Sequence, residues 1–211
     1  MQEYISSRRE ARPLHFTLLD PGKTSADDLI TLAKQTAEAG TDGFMVGGST
    51  DLSLENVDLA VETIKQTTHM PVILFPTHAS SVSGKADAIF FMSLLNSESR
   101  QFLVGEQIAS APWVKKTGLE PLSMAYLVVA PGMTAGRVGQ AQPLPRDQPD
   151  LVVSHALAGQ YLGMKYIYLE AGSGASEPVP ADIIKSVRAV SYTHLRAHET
   201  EADLVCRLLL E

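Results

Sequence analysis

The chain has 211 residues, 45% of them hydrophobic, and a mean hydropathy of +0.02, the balance of a globular protein with material for one sizeable core. Its 17 Lys and Arg stand against 24 Asp and Glu, a net charge of −7, with no basic cluster, which argues against a nucleic-acid surface. No apolar run has the length of a membrane span and no signal peptide precedes Arg8 and Arg9, so the cytoplasm is the expected compartment.

In chain order, short apolar runs alternate with helical patterns. Residues 14–19 read as a strand and residues 25–39 as a helix, with Ser25 as its N-cap and Asp27 and Asp28 in the first turn. Gly40 ends that helix. A strand over residues 43–46, a helix over 52–67 and strands over 71–75 and 86–92 follow. A helix is expected around residues 101–110 and a strand over 124–129. Residues 132–149, rich in Gly, Pro and Gln, read as a long loop. A helix over 151–162, a strand over 165–169 and a helix over 181–188 complete the pattern. Near-continuous apolar strands between helices indicate a parallel sheet covered on both faces.

No Gly-x-Gly-x-x-Gly opens the first helix, which counts against a dinucleotide-binding domain. Polar and glycine residues instead collect after the strands, at Asp20 and Pro21, Gly47 to Thr50, Pro76 to His78, Asn96 and Glu170 to Gly174. That is where a (β/α)8 barrel carries its active site. The fold class expected is therefore α/β, of the (β/α)8-barrel family, with about six β/α units legible. The most informative segment is YLEAGSG, residues 168–174. It places an acid and a glycine-rich turn at a strand exit, where backbone N–H groups can meet a phosphate. An acid followed by glycines is also a plain strand exit, and both readings stand on these residues alone.

The last residues read differently. SYTHLRAHET of residues 191–200 resembles the conceptual translation of the transposase end of a sequencing adapter, and residues 203–210 resemble the continuation of that adapter. On this reading residues 1–188 are an incomplete β/α-barrel domain and residues 189–211 a tail foreign to the gene. The i, i+4 pair His194 and His198, a spacing suited to metals, and the single cysteine, Cys206, then carry no chemistry, and the rest of the chain offers neither disulfide nor cysteine zinc site.

Five ordered motifs, HFTLLDP (15–21), GTDG (40–43), VGGST (46–50), FFMSLLN (90–96) and YLEAGSG (168–174), together resemble the geranylgeranylglyceryl phosphate synthase and heptaprenylglyceryl phosphate synthase family. The resemblance runs from about Leu14 to Arg188. It implies a barrel prenyltransferase of ether-lipid biosynthesis, joining the C3 hydroxyl of sn-glycerol 1-phosphate to C1 of a long prenyl diphosphate such as geranylgeranyl diphosphate, with Mg²⁺ as cofactor and a homo-oligomeric full-length form. It implies Asp20 and Ser49 as Mg²⁺ ligands, in keeping with that ion's preference for few protein oxygens. It implies Tyr168, Leu169, Glu170, Ala171, Gly172, Ser173 and Gly174 as the segment holding glycerol phosphate. Glu170 would take the proton of the attacking hydroxyl and Tyr168 hold the polyol or face the allylic cation. A turn-opening Asp20, a helix-capping Ser49 and a core Tyr168 are the structural alternatives.

One branch of the family has lysine two residues before the aspartate, where this chain has Leu18, and the phosphate-gripping turns of strands seven and eight have no counterpart before residue 189. His78, Arg137 and Arg146 could reach the diphosphate but read first as a loop residue and two solvated loop charges, His15 and His155 as packing or capping, and Phe44, Phe90, Phe91, Met92 and Tyr126 as core sooner than prenyl-channel lining. The other functional readings are a phosphate-binding barrel isomerase or aldolase, which a Schiff-base lysine at a strand end would favour, and an inactive fragment.

Overall fold

A computed structural model describes residues 1–48, 52–190, 194–197 and 206–207. They fall into two compact units, Met1–Phe90 with Glu106–Pro121, and Phe91–Gly105 with Leu122–Glu211.

The first unit holds α1 (Gln2–Arg9), β1 (His15–Leu19), α2 (Ala26–Glu38), β2 (Gly43–Gly47), α3 (Leu54–Thr68), β3 (Val72–Phe75), a 3₁₀ turn (Ala79–Ser81), the start of β4 (Ala88–Leu94) and α4 (Glu106–Thr117). β1 to β4 pair in chain order and all parallel, with Thr17 opposite Phe44, Val46 opposite Leu74 and Leu74 opposite Ile89. Every residue of β2 is buried, as expected of an inner parallel strand. The helices start where the sequence places caps. The Ser25 Oγ accepts from the Asp28 N–H at 3.2 Å and the Ser53 Oγ from the Asn56 N–H at 3.2 Å, each satisfying a donor that the first turn leaves without a helical partner. α2 stops at Gly40, which takes the left-handed φ of +96° that side chains resist.

The second unit holds the rest of β4, a π-helical turn (Gln101–Gly105), most of β5 (Glu120–Val128), α5 (Met133–Val138), α6 (Pro149–Tyr161), β6 (Tyr166–Glu170), α7 (Ala181–Val190), β7 (His194–Ala197) and β8 (Cys206–Arg207). β6 lies between β5 and β7, parallel to both. The register sets Tyr126 opposite Tyr168 and Val128 opposite Glu170. Strand alternation then sorts the side chains. Ala125, Leu127 and Val129 of β5 and its exit, with Ile167, Leu169 and Ala171 of β6 and its exit, form one core with Val152 and Ala156 of α6 and Ile183, Ile184 and Val187 of α7. Tyr126, Tyr168 and Glu170 occupy the other face.

Several boundaries differ from those read in the sequence. α1 lacks an apolar stripe, burying only Ile5, and is tied down by tertiary contact instead, its Tyr4 hydroxyl donating to the Asp42 carbonyl at 2.7 Å. The helix expected over residues 101–110 is a π turn followed by α4, which runs on through Pro112 to Thr117. β5 begins four residues early at Glu120, with Pro121 near the strand's start, where a missing N–H is tolerated. Residues 132–149 are not loop throughout, since Met133–Val138 closes into a short helix.

Candidate active site

In the first unit Asp20 follows the last residue of β1, with one carboxylate and a turn built around it. The Gly22 N–H donates to Asp20 Oδ1 at 2.9 Å, the Lys23 and Thr24 N–H groups donate to its carbonyl at 3.0 and 3.1 Å, and Lys23 Nζ lies 3.5 Å from Oδ2. This is the turn-opening aspartate of the structural reading. Its carboxylate nevertheless remains partly exposed, 16% of the side chain, and open to a further ligand. The exit of β2 runs close beside it. A Cβ on Gly47 would lie 1.9 Å from the Phe75 carbonyl oxygen, so glycine is required there for β2 to pass β3, and one on Gly48 would lie 2.5 Å from both Asp20 carboxylate oxygens and displace that carboxylate. The Thr77 hydroxyl donates to the Gly48 carbonyl, fixing the β3 exit to the same point. Ser49 lies outside the described residues.

His78 follows in that exit. Its Nδ1 lies 3.1 Å from Glu106 Oε1, and the other oxygen of Glu106 accepts from the Ala79 N–H at 2.6 Å. The residue expected to complete a loop is thus held by an acid at the start of α4.

The second unit carries the glycine turn. Glu170 is 5% exposed, and its carboxylate is held at both ends. Oε1 accepts from the Gly172 N–H at 2.6 Å and Oε2 from the Tyr126 hydroxyl at 3.3 Å. Tyr126, read from the sequence as core, is therefore the polar partner of the candidate base. The signal for it lay in strand register, which sequence alone does not supply. Tyr168, 1% exposed, packs edge to face against Tyr126 with ring centroids 5.2 Å apart, a favourable aromatic geometry that fixes both rings. Leu169 and Ala171 are fully buried in the core, so their side chains face away and only their backbone serves the turn.

The turn itself is shaped by the β5 exit. After a cis peptide at Ala130-Pro131, the Gly132 N–H donates to the Ala171 carbonyl at 2.9 Å. Gly172 has φ +102°, and a Cβ there would lie 2.6 Å from Met133 Cβ and 2.7 Å from the Gly132 carbonyl carbon and oxygen. Both the left-handed backbone and the close approach demand glycine. Ala175 closes the turn by donating to the Gly172 carbonyl at 3.0 Å. Since Gly172 gives its N–H to Glu170, the groups of the turn that face outward belong to Ser173 and Gly174, both exposed; Gly174 is also left-handed, at φ +80°.

Two other polar residues prove structural. Asn96, after β4, is 8% exposed and donates to the Val128 and Gln142 carbonyls at 2.9 and 2.7 Å while accepting from the Val128 N–H at 3.0 Å, which uses its side chain as a splice between segments. Arg146 donates to the Ala130 carbonyl at 3.3 Å, the Pro178 carbonyl at 2.9 Å and Glu177 Oε2 at 3.1 Å. It is not a solvated loop charge.

Among the described residues, no group of three or more His, Cys, Asp or Glu is arranged to hold a metal unaided. Asp20 offers hard oxygen alone, which suits an ion that takes one or two protein ligands and fills its shell with water and phosphate.

Comparison with known proteins places this architecture. The model of the PcrB family matches residues 6–196. A geranylgeranylglyceryl phosphate synthase of Pyrococcus horikoshii is 50% identical over 190 residues, which cover 90% of this chain and 75% of the relative; that of Thermococcus kodakarensis is 49% identical with the same coverage. Among solved structures, the wild-type GGGPS of Thermoplasma volcanium superposes with a TM-score of 0.88 at 44% identity, covering 92% of this chain and 79% of the other. The (S)-3-O-geranylgeranylglyceryl phosphate synthase of Thermoplasma acidophilum, solved with its substrate sn-glycerol-1-phosphate, gives a TM-score of 0.88 at 41% identity, covering 93% and 79%. The chain belongs to the PcrB family, together with these geranylgeranylglyceryl phosphate synthases.

Proposed function

We infer that this chain is a prenyltransferase of ether-lipid biosynthesis. It joins the C3 hydroxyl of sn-glycerol 1-phosphate to C1 of a long-chain prenyl diphosphate, geranylgeranyl diphosphate being the first to test. The relatives at 50% and 49% identity support the reaction, as does a like-folded neighbour solved with sn-glycerol-1-phosphate. The single observation that carries it in this molecule is the buried Glu170, held by Gly172 and Tyr126 at the mouth of the glycine turn.

Glu170 is the base of this reading. As the glycerol C3 oxygen bonds to the prenyl C1, the bond from C1 to the diphosphate oxygen breaks, the electron pair leaves with diphosphate, and the hydroxyl proton passes to the Glu170 carboxylate. Holding both carboxylate oxygens beforehand removes the reorganisation an unrestrained acid would need. Tyr168, locked by Tyr126, presents a ring whose face favours the positive charge that develops on the allylic carbon. Ser173 and Gly174 meet the glycerol phosphate with backbone N–H groups and a hydroxyl. Asp20, with Ser49, is the proposed holder of Mg²⁺, which when bound offsets the charge gathering on the leaving diphosphate. Cytoplasmic location and a homo-oligomeric state belong to the same reading and are checked by fractionation and light scattering.

The test is transfer of a labelled geranylgeranyl group to sn-glycerol 1-phosphate by the 211-residue chain with Mg²⁺ present. Labelled ether product and released diphosphate in equal amounts are expected. Binding of both substrates without product would overturn the assignment.

A further inference from the structure

Arg146 is set in place before it makes any bond of its own. Residues 142–144 cross the exits of β4 and β5. The Gln142 N–H donates to the Asn96 carbonyl at 2.8 Å, the Leu144 N–H to the Val128 carbonyl at 2.9 Å, and the Ala130 N–H to the Leu144 carbonyl at 2.9 Å. The Leu144 side chain is 4% exposed and belongs to the core. Two residues on, the Arg146 side chain is 28% exposed. Its guanidinium spans two loops, the Ala130 carbonyl just before the cis bond on one side and the Pro178 carbonyl with the Glu177 carboxylate on the other.

Those two loops wall the glycine turn. The Ala130 side carries Gly132, which bonds the Ala171 carbonyl and leaves no room for a Cβ on Gly172. The Glu177 and Pro178 side is the continuation of the turn itself, three and four residues beyond Gly174. Two of the three acceptors are main-chain carbonyls, so the bonds fix backbone position and not only charge. The Glu177 contact adds little, since that carboxylate is 73% exposed. Only a planar fork of donors reaches such divergent acceptors at once; an ammonium is a point.

We propose that Arg146 is a positioning residue for the phosphate of the glycerol substrate: by tying Ala130 to Pro178 it holds the turn at Ser173 and Gly174 open in the shape that receives that phosphate. The proposal rests on the function inferred above. It does not require that Arg146 touch the substrate.

The experiment measures binding of sn-glycerol 1-phosphate to the 211-residue protein by calorimetry, together with steady-state transfer, for the parent, Arg146→Gln and Arg146→Lys. Melting temperatures are taken alongside. Both variants should bind glycerol phosphate about tenfold more weakly or worse, the scale of losing charge-assisted hydrogen bonds. KM for glycerol phosphate should rise accordingly, with kcat and KM for the prenyl diphosphate within about twofold of the parent. If Arg146→Lys binds as the parent does, simple attraction by a positive charge is sufficient and the clamp is overturned. Unchanged binding in Arg146→Gln overturns it as well, as does a fall in kcat with KM unmoved. Should Arg146→Gln fail to fold, Arg146→Lys alone decides by the same criterion. If the parent binds glycerol phosphate but transfers no prenyl group, the function reading fails while the binding comparison still judges Arg146; if the parent binds none, both fall.

Discussion

Glu170 and Asp20 are both strand-exit acids, in unlike surroundings. Glu170 is buried and bonded through both oxygens, whereas Asp20 is the more open and lies near a lysine ammonium. Glu170→Gln keeps the shape and the Tyr126 contact but removes the proposed base, so turnover should fall about a hundredfold, the low end for an acid/base group. Its Mg²⁺ dependence should be that of the parent. Asp20→Asn should cost turnover on a similar scale and also raise the Mg²⁺ concentration needed for half-maximal rate. A titration of rate against Mg²⁺ in both variants checks this, and near-parent rates would remove the residues from the mechanism. The glycines give a purely steric prediction at the same scale. Gly172→Ala sets a methyl 2.6 Å from Met133 Cβ and 2.7 Å from the Gly132 backbone at a φ of +102°, so it should weaken glycerol phosphate binding and destabilise the fold by about 1–3 kcal/mol. Gly174→Ala meets nothing within 4 Å and should show only the cost of its positive φ. Equal behaviour of the two variants in thermal melts would contradict this account.

Elements in this chain are secured by contacts between them as much as by local preference, and α1 shows it best. Its anchor is Asp42, ahead of β2, whose side chain is 1% exposed. The carboxylate accepts from Arg12 at 2.6 and 2.9 Å and from the His15 N–H at 2.9 Å, while its carbonyl takes the Tyr4 hydroxyl. The bonded carboxylate raises the Arg12 pKa above the usual guanidinium range, first through the hydrogen bond and then through Coulomb attraction. Arg12 is 54% exposed, which screens its share. Asp42→Ala should therefore cost about 2 kcal/mol, because it leaves the part-buried His15 N–H without its acceptor and removes the Arg12 pair as well, and Arg12→Ala only about 1 kcal/mol or less. Denaturant melts of the two variants give the order directly. An Arg12 variant as damaging as the Asp42 variant would mean that the ion pair, and not the bond to the His15 N–H, holds the segment.

The chain is a run of parallel β/α units, and each residue of the proposed site stands at or near a strand exit, the arrangement on which barrel enzymes vary their loops. We propose that residues 191–211 contribute nothing to this run, on the strength of their likeness to adapter sequence. Four of them, His194–Ala197, pair with β6, which makes the proposal sharp. Deleting residues 191–211 should leave the melting temperature unchanged or higher. A fall of several degrees would show that the pairing with β6 is part of the fold. The alternation of apolar runs and capped helices was enough to read the parallel architecture and the positions of β1 to β6, since buried parallel strands and Ser-capped amphipathic helices are local signals. The acid at 20 and the acid with glycines at 170 to 174 were legible for the same reason, each lying where a strand ends. The sequence did not show that Tyr126 shares Glu170, that Gly48 is pressed against Asp20, or that Arg146 spans two loops. Those depend on strand register and on which carbonyls a fold leaves within reach, and both are decided between segments distant in the chain, where no local preference acts.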